Sequence, residues 1–228
     1  MTKPVAVIPA RGGSKRIPRK NLKEFFGNPI IFYPIQVAIQ SKLFGAVYVS
    51  TEDNEIAQVA RDCGAEVIPR NSSLADDFTP TVPVIRHAIK YLVQKGECFD
   101  EVCCIYPTMP FLEAHELITG YQLIRSGKWK FVFSAVEFEY PIQRAFRISS
   151  AGQVSMFDDT KFSSRTQDLE SSYHDADKFY WGSTDAWLSE TTLFSSSSTA
   201  VIVPRGKTVS IDTEEDWQAA EQLFGSLN

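Results

Sequence analysis

Short apolar runs alternate with longer periodic segments through the first half of the chain. The runs have the length and continuous apolar character of strands buried on both faces, and they occupy residues 5–9, 46–50, 65–69, 102–106 and 131–136. The segments between them have the length and period of helices, and they occupy residues 29–42, 54–63, 80–95 and 113–126. This order predicts an α/β fold with a Rossmann-like, mostly parallel sheet that is covered by helices on both faces. Ligands bind such sheets at the carboxyl ends of the strands, so we expect the functional residues there.

Proline and capping residues help to place the ends of two predicted helices. Pro34 lies inside the first helix, and its ring and missing N–H predict either a kink or a later start of that helix. A further strand is predicted over residues 200–204 and a closing helix over residues 212–224, with Asp212 or Thr213 at the N-cap of that helix.

The pattern changes after about residue 137. Residues 137–181 are polar, aromatic and rich in turn-forming residues, and they indicate short alternating strands rather than another strand-helix unit. A weakly periodic segment of this length inside a compact domain is usually functional or part of a subunit contact. We therefore predict a small β-rich arm over residues 137–181, inserted in a single domain that spans residues 1–228.

Length, composition and charge fit that organisation. The chain has 228 residues, of which 43% are hydrophobic and 22% charged, and a chain of this size buries a core without disulfides. The 23 Lys and Arg residues against 28 Asp and Glu residues give a net charge of −5, so we expect neither a nucleic acid nor a membrane surface as partner.

The lengths of the apolar runs and the pattern of cysteines predict a cytoplasmic location. No apolar run approaches the roughly 18 residues of a membrane span, and we expect neither a span nor a signal peptide. The four cysteines lack zinc-type spacing, and we expect reduced core thiols. Cys103 and Cys104 are adjacent in a predicted strand and therefore face opposite sides of the sheet.

A basic turn follows the first predicted strand. Six of the chain's 23 basic residues lie between positions 11 and 23 without an intervening Asp or Glu, and they are Arg11, Lys15, Arg16, Arg19, Lys20 and Lys23. Gly12 and Gly13 let the backbone turn sharply and present N–H groups, which together with the cations suits a polyphosphate such as a nucleoside triphosphate. The sequence GGSKRIPRK fits neither the P-loop nor the dinucleotide-binding pattern, which argues against a P-loop NTPase or a dehydrogenase.

The sequence RGGSKRIPRKN at 11–21 resembles the signature of the acylneuraminate cytidylyltransferases, which join CTP to nine-carbon α-keto acid sugars. The resemblance spans nearly the whole chain. Four further segments look most like the branch of the family that makes CMP-pseudaminic acid: CCIYPTMPF (103–111), FEYPIQRAF (138–146), SRTQDLESSYHDADKFYW (164–181) and IDTEEDW (211–217). The resemblance implies a fold like that of nucleotide-diphospho-sugar transferases, CTP as substrate, Mg²⁺ or Mn²⁺ as cofactor, and a homodimer whose arm reaches towards the partner's site.

The resemblance also implies roles for individual residues on the nucleotide side. The expected nucleotide-binding residues are Ala10, Arg11, Gly12, Gly13, Ser14, Lys15, Lys20, Asn21, Arg70 and Thr81. Arg11 and Lys20 are expected to hold phosphate oxygens and act in catalysis together with Asp212. Asp212 matches the second Asp of the family's D-x-D magnesium motif, whereas Ser210 replaces the first Asp. Asp212 is therefore the one carboxylate expected at the metal.

The sugar side needs a cation for the acceptor's carboxylate and polar groups for its hydroxyl and acetamido groups. The expected sugar-binding residues are Tyr106, Gln143, Arg144, Arg165, Gln167, Tyr173, His174 and Tyr180. Tyr106 stands where relatives that use sialic acid tend to carry Gln. Asp177 occupies a position that is often Gly, and the sequence assigns no role to it.

From these roles we expect an in-line attack of the sugar's anomeric hydroxyl on the α-phosphorus of CTP, assisted by Mg²⁺ and expelling pyrophosphate. The sequence does not identify the general base. Three alternatives stay open at this point. One is the same chemistry on legionaminic, N-acetylneuraminic or ketodeoxyoctonic acid, another is a catalytically weak relative that binds CTP, and the third is a glycosyltransferase of similar architecture.

Overall fold

One seven-stranded sheet forms the centre of the computed structural model, which describes residues 2–189 and 192–227. The strands in chain order are β1 (Val5–Pro9), β2 (Glu24–Phe25), β3 (Asn28–Pro29), β4 (Ala46–Thr51), β5 (Glu66–Pro69), β6 (Glu101–Ile105), β7 (Phe131–Glu137), β8 (Phe146–Ile148), β9 (Val154–Met156), β10 (Tyr173–Ser183) and β11 (Ser198–Ile202). The central sheet has the order β11-β7-β10-β6-β1-β4-β5, and β2-β3 and β8-β9 form separate antiparallel pairs. Every pairing in the central sheet is parallel except those of β10, which is antiparallel to both β6 and β7. The predicted α/β fold with a mostly parallel sheet is confirmed.

Six α-helices lie in the described residues: α1 (Phe32–Gln40), α2 (Asn54–Asp62), α3 (Thr81–Gln94), α4 (Ala114–Arg125), α5 (Thr184–Leu188) and α6 (Glu214–Leu227). The five helices predicted from periodicity are confirmed, but the predicted start of the first at residue 29 is wrong. Because α1 begins at Phe32, Pro34 lies in its first turn. The N–H groups of a first turn have no partner within the helix, so the proline costs this helix no hydrogen bond.

Strand β10 and helix α5 were not predicted. Residues 173–181 of the predicted arm belong to β10 and pair with both β6 and β7, so the predicted arm boundary at 181 is wrong. The error has a physical cause, because the first half of β10 is polar and does not resemble a buried strand. The remainder of the predicted arm carries the exposed hairpin β8-β9.

The core lies on both faces of the sheet. One cluster packs α1, α2 and α4 on one face and contains Cys103, and a second packs α3 and α5 on the other face and contains Cys104. The opposite orientation predicted for these two residues is confirmed. All four cysteines are free, but Cys98 is exposed rather than in the core. The sequence also predicts no membrane span. Within the described parts of the chain no helix is long and apolar enough to cross a membrane.

A third apolar cluster connects the N-terminal basic turn to the C-terminal helix. It contains Ile17 of the basic turn, Ile211 just before α6 and Trp217 within α6, all of which are buried. Burial of side chains this large stabilises the contact by about 1.5–3 kcal/mol each. The cluster therefore holds two segments together that are nearly the length of the chain apart, and the candidate site lies where they meet.

Candidate active site

A cavity of about 620 Å³ opens at the carboxyl edge of the sheet. Its lining segments follow β1, β5, β6 and β11, and further lining residues come from the first half of β10 and the beginning of α3. The lining residues include Arg11, Ser14, Lys15, Arg16, Lys20, Asn21, Arg70, Asp77, Thr81, Tyr106, Asp177, Ser210 and Asp212. The cavity therefore lies where the sequence analysis expects ligands to bind, because these segments come together where parallel strands end.

The basic turn is built around Gly12. The backbone N–H of Gly12 donates to Glu52 Oε1 at 2.8 Å, and a Cβ at this position would overlap the carboxylate of Asp53. A side chain at residue 12 would therefore displace Asp53, whereas a Cβ on Gly13 would meet nothing within 4 Å. Asn21 Nδ2 closes the turn by donating to the backbone carbonyl of Arg11 at 2.9 Å. Ala10, just before the turn, is fully buried, and its N–H donates to the carbonyl of Ser50 at 3.0 Å.

Two cations of the basic turn meet a carboxylate from the loop before α3. Arg11 Nη1 lies 2.6 Å from Asp77 Oδ1, and Lys15 contacts the other oxygen of the same carboxylate. Hydrogen bonds from Lys15 and Arg11 lower the pKa of Asp77. The sequence analysis missed Asp77, because nothing in the sequence showed that this loop crosses to the basic turn.

Removing the Asp77 carboxylate is expected to tighten CTP binding. The triphosphate that the basic turn is predicted to bind would compete with Asp77 for Arg11 and Lys15, so Asp77→Asn is expected to lower the dissociation constant for CTP by up to about fivefold, the range of an exposed ion pair. Isothermal titration at low and high salt measures the effect, which shrinks as salt screens the charges. Asp62→Asn, a change on the exposed side of α2, is the control. Weaker binding by Asp77→Asn would show that the carboxylate supports the nucleotide site.

Lys20, also in the basic turn, lies beside Asp212 rather than beside Asp77. Lys20 Nζ donates to the backbone carbonyl of Ile211 at 2.6 Å and lies 3.5 Å from Asp212 Oδ1. Arg16 Nη2 approaches the same carboxylate oxygen at 2.9 Å. Burial lowers the pKa of Lys20. Two of the expected catalytic residues are therefore in contact.

Asp212 is not the N-cap of α6. Thr213 takes that position, since its Oγ1 accepts the N–H of Asp216 at 3.2 Å and Asp216 Oδ2 accepts the N–H of Thr213 at 2.7 Å. This reciprocal pair is a capping box. Because Thr213 satisfies the helix terminus, the carboxylate of Asp212 is directed to the cations and the cavity.

The oxygen donors around Asp212 fit a magnesium ion that arrives with a nucleotide. No group of three or more His, Cys, Asp or Glu side chains is gathered for a metal within residues 2–189 and 192–227. Mg²⁺ commonly uses only one or two protein carboxylates and takes its other ligands from phosphate and water. Asp212 supplies one carboxylate, and Ser210 lines the same cavity with a hydroxyl.

Arg70 and Thr81, which are predicted to bind the nucleoside, both line the cavity. Arg70 is buried, with Nε 3.2 Å from Ser50 Oγ and Nη2 2.5 Å from the carbonyl of Ser50. Burial lowers the pKa of Arg70. Thr81 is the first residue of α3, and its Oγ1 lies 2.8 Å from the hydroxyl of Tyr106.

Of the residues predicted to bind sugar, Tyr106 lines the cavity and Tyr180 lies behind it, with ring centroids 5.4 Å apart. The other predicted residues do not line it: Gln143, Arg144, Arg165, Gln167, Tyr173 and His174. Two of them contact other residues of the predicted arm: Gln143 Nε2 donates to the carbonyl of Glu170 at 2.9 Å, and Arg165 forms an ion pair with Asp168 at 2.7 Å. Their role in binding sugar stays a prediction.

A mostly parallel sheet with a basic turn and a carboxylate at one carboxyl-edge cavity defines a nucleotide-binding α/β protein. The family model described as "Cytidylyltransferase" matches residues 5–200. The chain belongs to the cytidylyltransferase family, as the resemblance in the sequence implied.

The chain is also similar to individual proteins of known activity or structure. The pseudaminic acid cytidylyltransferase of Campylobacter jejuni subsp. jejuni serotype O:2 is 43% identical over 223 residues, which cover 97% of this chain and 96% of that protein. The N-acylneuraminate cytidylyltransferase of Escherichia coli O18:K1:H7 is 26% identical over 96% of this chain and 51% of its own length. The solved structure of CMP:2-keto-3-deoxy-manno-octonic acid synthetase, complexed with CTP, superposes with a TM-score of 0.73 over the whole of both chains at 17% identity. That last likeness concerns the fold.

Proposed function

We propose that the protein joins CTP to pseudaminic acid, giving CMP-pseudaminic acid and pyrophosphate. The observation that carries nucleotidyl transfer is the arrangement of four cations, Arg11, Lys15, Arg16 and Lys20, together with Asp212 in one cavity. The choice of sugar is supported by the 43% identity to a pseudaminic acid cytidylyltransferase over nearly the full length of both chains. Tyr106 in the cavity is consistent with this branch.

In the proposed reaction the anomeric oxygen of the sugar bonds to the α-phosphorus of CTP while the bond from that phosphorus to pyrophosphate breaks. Arg11 and Lys20 hold phosphate oxygens and stabilise the charge that develops on the leaving group. Arg70 and Thr81 position the nucleoside, and Asn21 keeps the basic turn in shape. A Mg²⁺ or Mn²⁺ ion at Asp212 supplies further charge neutralisation on the triphosphate when bound.

A pyrophosphate-release assay with a panel of sugars tests the proposal. We expect turnover with CTP and pseudaminic acid, and much less with legionaminic, N-acetylneuraminic or ketodeoxyoctonic acid. Preference for another sugar would reassign the substrate within the same chemistry. CTP binding without pyrophosphate release from any sugar would indicate a binding protein, and release of CMP from a finished CMP-sugar would indicate a glycosyltransferase.

We also propose a homodimer formed through the arm and a cytoplasmic location, the latter supported by the four free thiols. The arm exposes large apolar side chains, including Phe146 at 56%, Ile148 at 66%, Val154 at 64% and Phe157 at 65% exposure. A cluster of this kind is typical of a surface that a partner covers. A second copy of the chain fits the family resemblance.

A charge placed on the arm is expected to break the dimer. Light scattering of the intact protein should give twice the chain mass of 25.6 kDa, and Ile148→Asp combined with Phe157→Asp should give the mass of one chain. Val93→Asp changes an apolar residue on α3 that is also more than half exposed and serves as the control. An intact protein with the mass of one chain at micromolar concentration would contradict the proposal.

A further inference from the structure

Asp177 is a cavity carboxylate that none of the roles described above uses. It lines the cavity together with Tyr106, Thr81 and Asp212. Four aspartates line this cavity, and the other three are engaged. Asp77 pairs with Arg11 and Lys15, Asp212 pairs with Arg16 and Lys20, and Asp76 accepts the backbone N–H groups of Phe78 and Thr79.

The backbone that presents Asp177 is irregular. The pairing of β10 with β7 shifts its register between Asp175 and Tyr180, which marks a bulge. Within the bulge Asp177 has φ +53°, a left-handed conformation that residues other than glycine adopt at a cost. Bulges and strained residues of this kind concentrate near active sites, where they direct a side chain.

Buried contacts hold the irregular segment in place. The N–H of Asp177 donates to Asp175 Oδ1 at 2.9 Å, and the next N–H, that of Lys178, donates to the buried hydroxyl of Ser134 at 3.1 Å. Lys178 Nζ is fixed by Glu116 Oε1 at 2.7 Å. The strained conformation is therefore imposed by several independent contacts, and its result is a carboxylate that faces the cavity.

The surroundings of Asp177 favour a proton acceptor over an ion-pair partner. The groups that face it are Asp175, Tyr180 and His174 on β10, Tyr106 after β6, and Asp212 before α6. The hydroxyl of Tyr180 donates a hydrogen bond to Asp177 Oδ1 at 3.2 Å. In the described part of the chain no Lys or Arg forms an ion pair with Asp177. Burial and the charge of Asp175 raise the pKa of Asp177, which makes it a stronger base than an ordinary carboxylate.

We propose that Asp177 is the general base of the reaction, an assignment that rests on the proposed function. Its carboxylate accepts the proton of the anomeric hydroxyl as the oxygen bonds to the α-phosphorus, and pyrophosphate leaves with the electrons of the broken P–O bond. The cations of the cavity cannot take this role, since Arg and protonated Lys only donate. The carboxylates of Asp77 and Asp212 are neutralised by their cations.

Asp177→Asn tests the assignment. The amide keeps the size and polarity of the side chain but cannot accept the proton, so kcat is expected to fall by about a hundredfold or more, the usual contribution of a general base. The KM values for CTP and sugar, the CTP affinity and the thermal midpoint are expected to stay near those of the wild type. In the wild type kcat/KM rises with pH through the pKa of Asp177, because the base must be ionised, and the variant lacks that rise.

Two further variants separate the base from other roles. Asp177→Gly relieves the left-handed strain and is expected to be as slow as Asp177→Asn, whereas an Asp177→Gly enzyme with wild-type kcat would overturn the proposal. Asp62→Asn, a change on the exposed side of α2 outside the cavity, is the control and is expected to retain wild-type kcat. A loss in Asp177→Asn that lies only in the KM for sugar, or that higher Mg²⁺ restores, would make Asp177 a binding group or a metal ligand and overturn the assignment.

The same assays distinguish this inference from the proposed function. A wild-type protein that releases no pyrophosphate from any sugar of the panel overturns the proposed function, and the base with it. An active wild type together with an equally active Asp177→Asn overturns the base alone.

Discussion

Replacing Lys20 with methionine is expected to lower kcat/KM for CTP by about a hundredfold to a thousandfold, the usual effect of removing one preorganised charged contact to a transition state. The ammonium group of Lys20 is held in the cavity by the carbonyl of Ile211 at 2.6 Å and lies 3.5 Å from Asp212. It therefore needs no reorganisation when negative charge develops on the leaving group. Methionine keeps most of the apolar stem, so the loss reports the charge. Pyrophosphate-release kinetics measure it.

Lys23→Met is the matched control. Lys23 belongs to the same basic turn, but it pairs with Glu214 and lies over the ring of Trp217 rather than lining the cavity. Its replacement is expected to leave kcat/KM nearly unchanged. If Lys20→Met stays within about threefold of the wild type, Lys20 does not act on the transition state.

Replacing Lys178 with methionine is expected to destabilise the fold by about 3–5 kcal/mol, the usual cost of removing one partner of a buried ion pair. Lys178 and Glu116 each have only 1% of the side chain exposed, and their contact measures 2.7 Å. Without Lys178 the Glu116 carboxylate is left buried near the start of α4, with the N–H of Glu113 on its other oxygen. Urea denaturation followed by circular dichroism measures the change in the free energy of unfolding.

The double variant Lys178→Met with Glu116→Gln tests the cause of that loss. The amide still accepts the N–H of Glu113 but carries no charge, so the double variant is expected to be more stable than Lys178→Met alone. The exposed pair of Lys207 with Glu113 is the control, and Lys207→Met is expected to change stability little. If Lys178→Met is as stable as the wild type, the buried pair does not support β10.

Sequence patterns predicted the elements that are apolar throughout and missed the strand that is not. The parallel strands are buried on both faces and therefore show as continuous apolar runs. The first half of β10 contains Tyr173, His174, Asp175 and Asp177, and its buried Lys178 is compatible with a core position only because Glu116 neutralises it. That partner lies 62 positions away in the sequence, and no local pattern reveals it.

The candidate site shows the same limit. The basic turn was predictable because its cations and Gly12 are contiguous in the sequence, and the structure gives the turn a steric reason in the contact with Asp53. Asp77 and Asp177 reach the cavity through a loop crossing and a bulge, neither of which has a sequence signature of its own. The sequence also left the N-cap of α6 open between Asp212 and Thr213, and hydrogen bonds of Thr213 decide it.

The reversed direction of β10 places its first residues at the edge where the cavity opens. Glu137 at the end of β7 pairs with Tyr173 at the start of β10, so the chain leaves and re-enters the sheet at neighbouring points on its carboxyl edge. Because these two points are fixed by strand pairing, the excursion between them can change in length at little cost in loop-closure entropy. Family members can therefore differ in the length of this one contiguous segment while the pairing of the central sheet stays the same.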